Sequence, residues 1–142
     1  MTEEVFNKIV SKEYILIITD IKGNILFKTD CSPISTFYQL YYEKSIDLGS
    51  EGIFVYSNQM GIALAILSEL EIVVSYIGNI ISKPAKNLIN QNAIKYRYNK
   101  EIYFVKSYND SSKVCPIEEC LYKIEDVKYK IKFLEDKYKT LN

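Results

Sequence analysis

Hydrophobic residues follow two different spacings along this chain, and the change between them predicts the order of its elements. Near the N-terminus they recur at helical spacing, which predicts a helix over residues 1–12 that lies on a sheet: Val5, Phe6, Ile9 and Val10. A continuous apolar run over 14–18 indicates a strand covered on both faces. The turn residues 20–24 and a second apolar run over 25–27 complete a predicted hairpin.

The middle of the chain begins with a helix signal and a strand signal. Ser32-Pro33 predicts the start of a helix, and residues 53–56 form a short buried strand. Ser57 or Asn58 is then expected to cap a buried helix that runs from about Gln59 to Leu67.

Two further predicted strands lie on either side of the next helix. Residues 72–77 form an apolar strand, and Ser82 is expected to cap the helix after it, with Pro84 tolerated in the first turn and Asn92 as a left-handed stop. Over 94–99 isoleucine and tyrosine alternate with polar residues, which indicates a strand with one solvated face.

The last part of the chain predicts a loop and C-terminal helices over 116–140. Residues 106–114 are polar and are expected to form a mobile loop. Pro116 then starts a helix, and Asp126 is expected to break it before a charged amphipathic helix.

This order of elements predicts an α/β fold. A helix, a hairpin and repeated helix–strand alternation indicate a three-layer α/β/α sandwich, with a mixed sheet of about five strands that is largely parallel after an antiparallel start. At 142 residues, one core suffices, so we expect a single domain over 1–142.

Composition excludes several classes of function. The chain has no histidine, which removes the most common general base and the most common metal ligand. Its 18 basic and 18 acidic residues balance, so no net field draws it to nucleic acid or to a membrane surface.

Polar residues at Ser68, Glu69 and Glu71 interrupt the longest apolar stretch, which argues against a membrane span. Cysteines without a CxxC spacing and the absence of a signal pattern at the N-terminus indicate the cytoplasm.

Candidate binding residues follow from where helices start in a parallel sheet. Ligands bind beyond the carboxyl ends of parallel strands, near helix N-termini. The turn from Ser57 through Asn58 to Gly61 is therefore the expected pocket floor, with the start of the helix at Ser82 beside it. An ordinary strand-to-helix turn explains the same residues, since one glycine does not make a phosphate loop.

Cys115 is the candidate nucleophile. It precedes Pro116 at a helix start, where the positive end of the helix can activate a thiol. The alternative is that Pro116 simply occupies the first helical position while Glu118 complements the helix dipole. A metal site made of Cys31, Cys115 and Cys120 lacks a fourth strong ligand, so we expect no metal and no other cofactor.

With these strings placed in order, the chain resembles a prokaryotic family of unknown function that has the cytidine-deaminase-like fold. Family members read Gly-Lys-Ala-Ala, Val-Ile-Ser-Glu and Met-Cys-Pro-Met-Glu at three positions. The counterparts here are Gly61-Ile62-Ala63-Leu64, Ile80-Ile81-Ser82-Lys83 and Val114-Cys115-Pro116-Ile117-Glu118, within a similarity that covers roughly Tyr14 to Leu134.

This chain departs from the family at polar positions. Ser57 stands where the family has aspartate, Ile62 where it has lysine, and Tyr108 and Asn109 where it has Asn-Arg. Zinc deaminases also need a His or Cys with a Glu on one helix and a Pro-Cys-x-x-Cys string on the next, and this chain has neither. The resemblance therefore implies the fold without the deaminase reaction.

Three hypotheses for function remain. The first is a zinc-independent, non-deaminating module that binds a small nucleotide-like molecule through Ser57, Asn58, Gly61, Ser82, Cys115 and Glu118. The second is a homodimeric interaction or scaffold protein that uses the C-terminal helices and the tyrosine-rich strand. The third is a thiol enzyme that acts through Cys115.

Overall fold

The computed structural model describes residues 3–10, 16–30, 40, 47–70, 72–107 and 110–141. Cys31, the helix start predicted at Ser32-Pro33, and Tyr108 with Asn109 lie outside the described residues. The helices are α1 (Glu3–Val10), α2 (Ile62–Ala65, continued by a 3-10 turn over Ile66–Glu69), α3 (Lys83–Gln91), α4 (Pro116–Lys123) and α5 (Val127–Leu141). The strands are β1 (Leu16–Asp20), β2 (Ile25–Thr29), β3 (Ile53–Met60), β4 (Val73–Ser82), β5 (Lys95–Ile102), β6 (Lys106–Ser107) and β7 (Asp110–Val114).

The main sheet has five strands in the order β2-β1-β3-β4-β5. The predicted hairpin is confirmed, since β1 pairs antiparallel with β2, and β1 also pairs antiparallel with β3. Strands β3, β4 and β5 are parallel to one another. The sheet is therefore mixed, with an antiparallel start and a parallel continuation, as the element order predicts.

Helices cover both faces of this sheet, which gives the predicted three layers. On one face Val5, Phe6 and Ile9 of α1 pack with Ile17, Tyr56 and Ile77. On the other face the larger core joins strand residues to residues of α2, α3, α4 and α5, including Leu16, Val55, Tyr76, Leu64, Leu88, Leu121 and Leu134. Because both sheet faces are covered, the first three residues of β1, Leu16 to Ile18, are all apolar, and they form the described part of the apolar run predicted over 14–18.

The predicted helix cap at Ser57 or Asn58 is wrong. Strand β3 continues through both residues to Met60, and the helix begins only at Ile62, after Gly61. Ser57 pairs with Leu16 of β1 and with Gly78 of β4, so neighbouring strands hold it on both sides. Sheet pairing outweighs the local capping preference of a serine.

The C-terminal part of the fold also differs from prediction at two points. Asn92 ends α3 with a negative φ of −93°, and the left-handed residue is Ala93, whose φ is 56°. The Asn92 side-chain amide instead donates to the Ser68 hydroxyl at 2.7 Å. The expected loop over 106–114 contains an antiparallel hairpin of β6 and β7.

The two C-terminal helices are confirmed. Pro116 lies at the start of α4, and the Asp126 carboxylate accepts a hydrogen bond from the Lys128 backbone N–H at 2.9 Å, which caps α5. Among the described helices, none combines the length and the apolar character that a membrane span requires.

Candidate functional site

The carboxyl ends of the three parallel strands meet at one edge of the sheet, here called the carboxyl edge. Strand β3 is followed by Gly61, β4 ends at Ser82, and β5 is followed by Tyr103. Both Gly61 and Ser82 are N-cap residues, of α2 and α3 respectively. Open α/β sheets bind their ligands at this edge, so it is the candidate functional site.

A buried carboxylate occupies the interior of the carboxyl edge. Only 2% of Glu118 is exposed. Its Oε1 accepts a hydrogen bond from the Ile62 N–H at 2.6 Å, and its Oε2 accepts one from the Val105 N–H at 3.1 Å. The Ser82 side chain also hydrogen-bonds to this carboxylate. Glu118 of α4 thus joins the start of α2, the start of α3 and the segment after β5.

Gly61 permits this close approach. A Cβ atom at Gly61 would lie 2.9 Å from Cγ2 of Val105 and 3.1 Å from Oε1 of Glu118. Its φ of −100° is open to any residue, so the glycine is required by space and not by backbone conformation. The small residue lets the Glu118 carboxylate reach the helix start.

The segment after β5 is anchored at three points. The Val105 N–H is bound by Glu118, while the Val105 carbonyl accepts from the Cys115 N–H at 3.0 Å. The Lys106 N–H donates to Oε1 of Gln59 at 2.8 Å. These bonds fix the backbone that carries Tyr103 and leads into the β6–β7 hairpin.

Burial controls the electrostatics of Glu118. Loss of solvent raises the pKa of its carboxyl group above the ordinary value, whereas the hydrogen bonds from Ile62, Ser82 and Val105 and the charge of Lys130 act in the opposite direction. The Lys130 ammonium donates to the carbonyl oxygens of Leu121 and Ile124. Its own pKa is lowered, mainly by burial.

Three aromatic rings and a lysine form the outer part of the carboxyl edge, here called the edge aromatic cluster. Tyr103, Phe104 and Tyr122 contact one another edge-on, with ring centroids 4.7, 5.2 and 6.3 Å apart. Tyr103 is 56% exposed and Tyr122 is 49% exposed. The Lys83 ammonium lies 5.9 Å from the centroid of the Tyr103 ring. A planar or anionic molecule can therefore reach rings and a cation here without entering the core.

The structure brings together part of the predicted site. Gly61, Ser82 and Glu118 are in contact, and Cys115 joins them through the backbone of Val105. Ser57 is fully buried within β3, and its hydroxyl donates to the Gln59 carbonyl at 2.9 Å. Asn58 accepts a hydrogen bond from the side-chain amide of Asn79 at 3.0 Å.

Strand alternation separates Asn58 from the edge just described. It shares a sheet face with Phe54 and Tyr56, which pack towards α1, whereas Val55 faces the larger core. The sequence reasoning missed Tyr103, Tyr122 and Lys83. The signal that could have found Tyr103 is the end of the strand near residue 102, because residues that follow a parallel strand lie at the carboxyl edge. Lys83 follows the end of β4 in the same way, whereas Tyr122 lies within α4 and has no such signal.

The residues of this edge do not fit the zinc centre of a deaminase. Over the described residues, no group of three His, Cys, Asp or Glu side chains is placed to hold a metal ion. Glu118 already accepts hydrogen bonds on both carboxylate oxygens. Cys120 is exposed and follows Cys115 by five positions, which is not the CxxC spacing of the deaminase ligands.

Comparison with known proteins gives one family and a solved relative. A domain of unknown function, DUF1893, matches residues 4–138. The crystal structure of a DUF1893 family protein from Thermotoga maritima is similar, with 26% sequence identity and a TM-score of 0.73 over 94% of this chain and 85% of that one. None of the curated proteins matches this chain.

Proposed function

We propose, from the premise that this chain belongs to the DUF1893 family of domains of unknown function, that it binds a small nucleotide-like molecule. Binding takes place at the carboxyl edge, requires no zinc and leads to no deamination. The observation that carries the proposal is the edge aromatic cluster, which offers exposed rings and a lysine where parallel α/β sheets bind ligands.

The cytidine-deaminase-like fold is part of this proposal. An antiparallel hairpin at one end of the sheet, three parallel strands and helices on both faces support it. Zinc deaminases hold their metal with a His or Cys from one helix and the cysteines of a Pro-Cys-x-x-Cys string on the next. Here the Glu118 carboxylate takes the hydrogen bonds at the starts of α2 and α3. A ligand therefore binds outside Glu118, on the exposed rings.

Fixed backbone beneath the rings favours binding. Tyr103 and Phe104 directly precede Val105, whose N–H and carbonyl are both hydrogen-bonded. A base that stacks on rings already held in place loses less free energy to ordering than one that binds a mobile loop. Ring stacking is also tolerant of base identity, so we expect modest selectivity among bases.

Thermal unfolding with added nucleotides tests the proposal. We expect AMP, CMP, GMP or UMP at millimolar concentration to raise the melting temperature, because a ligand that binds only the folded state stabilises it. Tyr103→Ala should abolish the rise. Tyr129→Ala, which removes a 60% exposed tyrosine from α5, should leave it intact. No rise with any of the four nucleotides, or release of ammonia from cytidine or adenosine compounds, would contradict the proposal.

Self-association is a second candidate function, favoured by a groove along α5. This open groove of about 760 Å³ lies between Glu69 and one face of α5, and Val127 and Ile131 form its apolar part. The groove is bordered by Lys128, Lys132 and Glu135. Because it carries both positive and negative charges, a second copy of the same surface can pair opposite charges with it. A second copy that paired across this face would make the protein a dimer in light scattering, and Ile131→Asp should return it to a monomer.

A further inference from the structure

The edge aromatic cluster carries a positive charge that its neighbours do not cancel. Lys86 forms an ion pair with Glu101 at 2.8 Å, and Lys83 is close enough to contribute to the lowered pKa of the same carboxyl group. Among Lys83, Lys86 and Glu101, two ammonium groups therefore stand against one carboxylate. Within the described residues, Lys83 belongs to no ion pair, and its ammonium lies over the Tyr103 ring.

The position of Lys83 in the fold adds to this charge. Lys83 is the first residue of the nine-residue helix α3, directly after the N-cap Ser82. The Lys83 backbone therefore lies at the positive end of the helix dipole. Deeper in the edge, Glu118 already accepts the hydrogen bonds of the Ile62 and Val105 N–H groups, so neither donor is free for an anion. An anionic group is thus favoured at the surface beside Lys83 and disfavoured in the interior.

We infer that Lys83 is a specificity residue that selects nucleotides over nucleosides, and this inference rests on the function proposed above. The base stacks on the exposed ring of Tyr103, and the Lys83 ammonium beside that ring binds the phosphate of the same molecule. A compact ammonium suits phosphate recognition at a surface, where a single point charge is enough to bind it. We expect neither the rings alone nor the lysine alone to bind a nucleotide tightly.

Titration calorimetry with AMP, adenosine and inorganic phosphate tests this inference. We expect wild-type protein to bind AMP at least about tenfold more tightly than adenosine, which corresponds to one charge-assisted contact. Lys83→Met should reduce the affinity for AMP to that for adenosine and leave adenosine binding unchanged. Lys83→Arg should restore the preference. Lys128→Met, which removes an exposed lysine from α5, is the matched control and should change nothing.

The outcomes separate this inference from the function on which it rests. Equal affinity for AMP and adenosine in the wild type, with both lost in Tyr103→Ala, would overturn the role of Lys83 and leave the binding function standing. Inorganic phosphate that binds as tightly as AMP would also overturn it, because the ring would then contribute nothing. If none of the three compounds binds, both the inference and the proposed function fail. Melting curves of each variant show whether it is folded.

Discussion

The backbone of Val105 connects the buried and exposed parts of the carboxyl edge. Its N–H donates to Glu118 and its carbonyl accepts from Cys115, so neither polar group is left without a partner in a buried residue. The two residues before it carry exposed and half-exposed rings. A change that displaces Val105 therefore acts on the packing beneath and on the proposed ligand surface above.

Gly61→Ala should displace Val105 and Glu118. The added Cβ would lie 2.9 Å from a methyl group of Val105 and 3.1 Å from the Glu118 carboxylate, so one of them has to move. We expect the free energy of unfolding in urea to fall by about 1–3 kcal/mol, as for other overpacked cores.

Gly78→Ala is the matched control for this change. Its Cβ would meet its nearest neighbours at 3.5 Å, which is ordinary contact distance, and the residue lies within β4. We expect this variant to be as stable as the wild type or slightly more stable, because alanine is favoured over glycine within a strand. Equal losses in both variants would mean that the space around Gly61 is not special.

Among the elements, helix ends with a side-chain signal could be predicted. Ser82 caps α3 as expected, since its hydroxyl accepts from the Ala85 N–H at 3.3 Å with Pro84 in the first turn. Ser57 carries the same local signal, but the helix cap predicted there is wrong, because β3 pairs with β1 and β4 on either side of this residue. A capping preference therefore sets the start of a helix only where the backbone is not already paired with neighbouring strands.

The candidate site was predictable only in part. Gly61, Ser82 and Cys115 stand at element boundaries, which a sequence pattern can locate. The bond between Glu118 and Ile62 joins residues 56 positions apart, and no local pattern encodes it. The sequence offers two roles for Glu118, a ligand-binding residue and a partner for the dipole of its own helix, whereas the structure shows it bound to the start of another helix.

Helix α1 attaches to the sheet through few residues, so a single change should loosen it. Phe6 is 7% exposed, and the Arg97 guanidinium lies 4.6 Å from the centroid of its ring. Phe6→Ala should lower the free energy of unfolding by about 3–5 kcal/mol, the usual cost of removing a buried phenyl ring. Hydrogen exchange should show faster exchange in α1 than in α3.

The neighbouring Asn7→Ala is the control for α1, because Asn7 is exposed and its loss leaves no cavity. We expect a change within about 0.5 kcal/mol, as for other surface positions. If Phe6→Ala were as mild as Asn7→Ala, α1 would not be part of the cooperative unit.

At the scale of the whole molecule, the 18 basic and 18 acidic residues balance near neutral pH, so we expect individual groups to determine how stability depends on pH. Asp20, Glu101 and Asp110 have pKa values lowered by hydrogen bonds, to Asn24, Lys86 and Ser112 respectively. These groups contribute stability above their ordinary pKa values and lose it in acid. Glu118 is the opposite case, because burial raises its pKa.

The stability contributed by Glu118 should therefore fall as pH rises. Its pKa in the folded protein lies above the ordinary 4.5, so the folded state holds a proton that the unfolded state has already released. The contribution is complete below pH 4.5 and is lost as pH increases through the folded pKa. The stability contributed by the other carboxyl groups changes with pH in the opposite direction. Their contribution is the same in Glu118→Gln, so the difference between wild type and this variant cancels it.

We predict that the difference in free energy of unfolding, wild type minus Glu118→Gln, decreases as pH is raised above 4.5, as measured by urea denaturation at each pH. The glutamine amide keeps one acceptor for the Ile62 N–H and presents a donor to Val105, and it does not titrate over this range. Lys130 is the charged group whose interaction opposes the trend. A difference that grew with pH would mean that Lys130 and the three hydrogen bonds outweigh burial, and that Glu118 is held as a carboxylate.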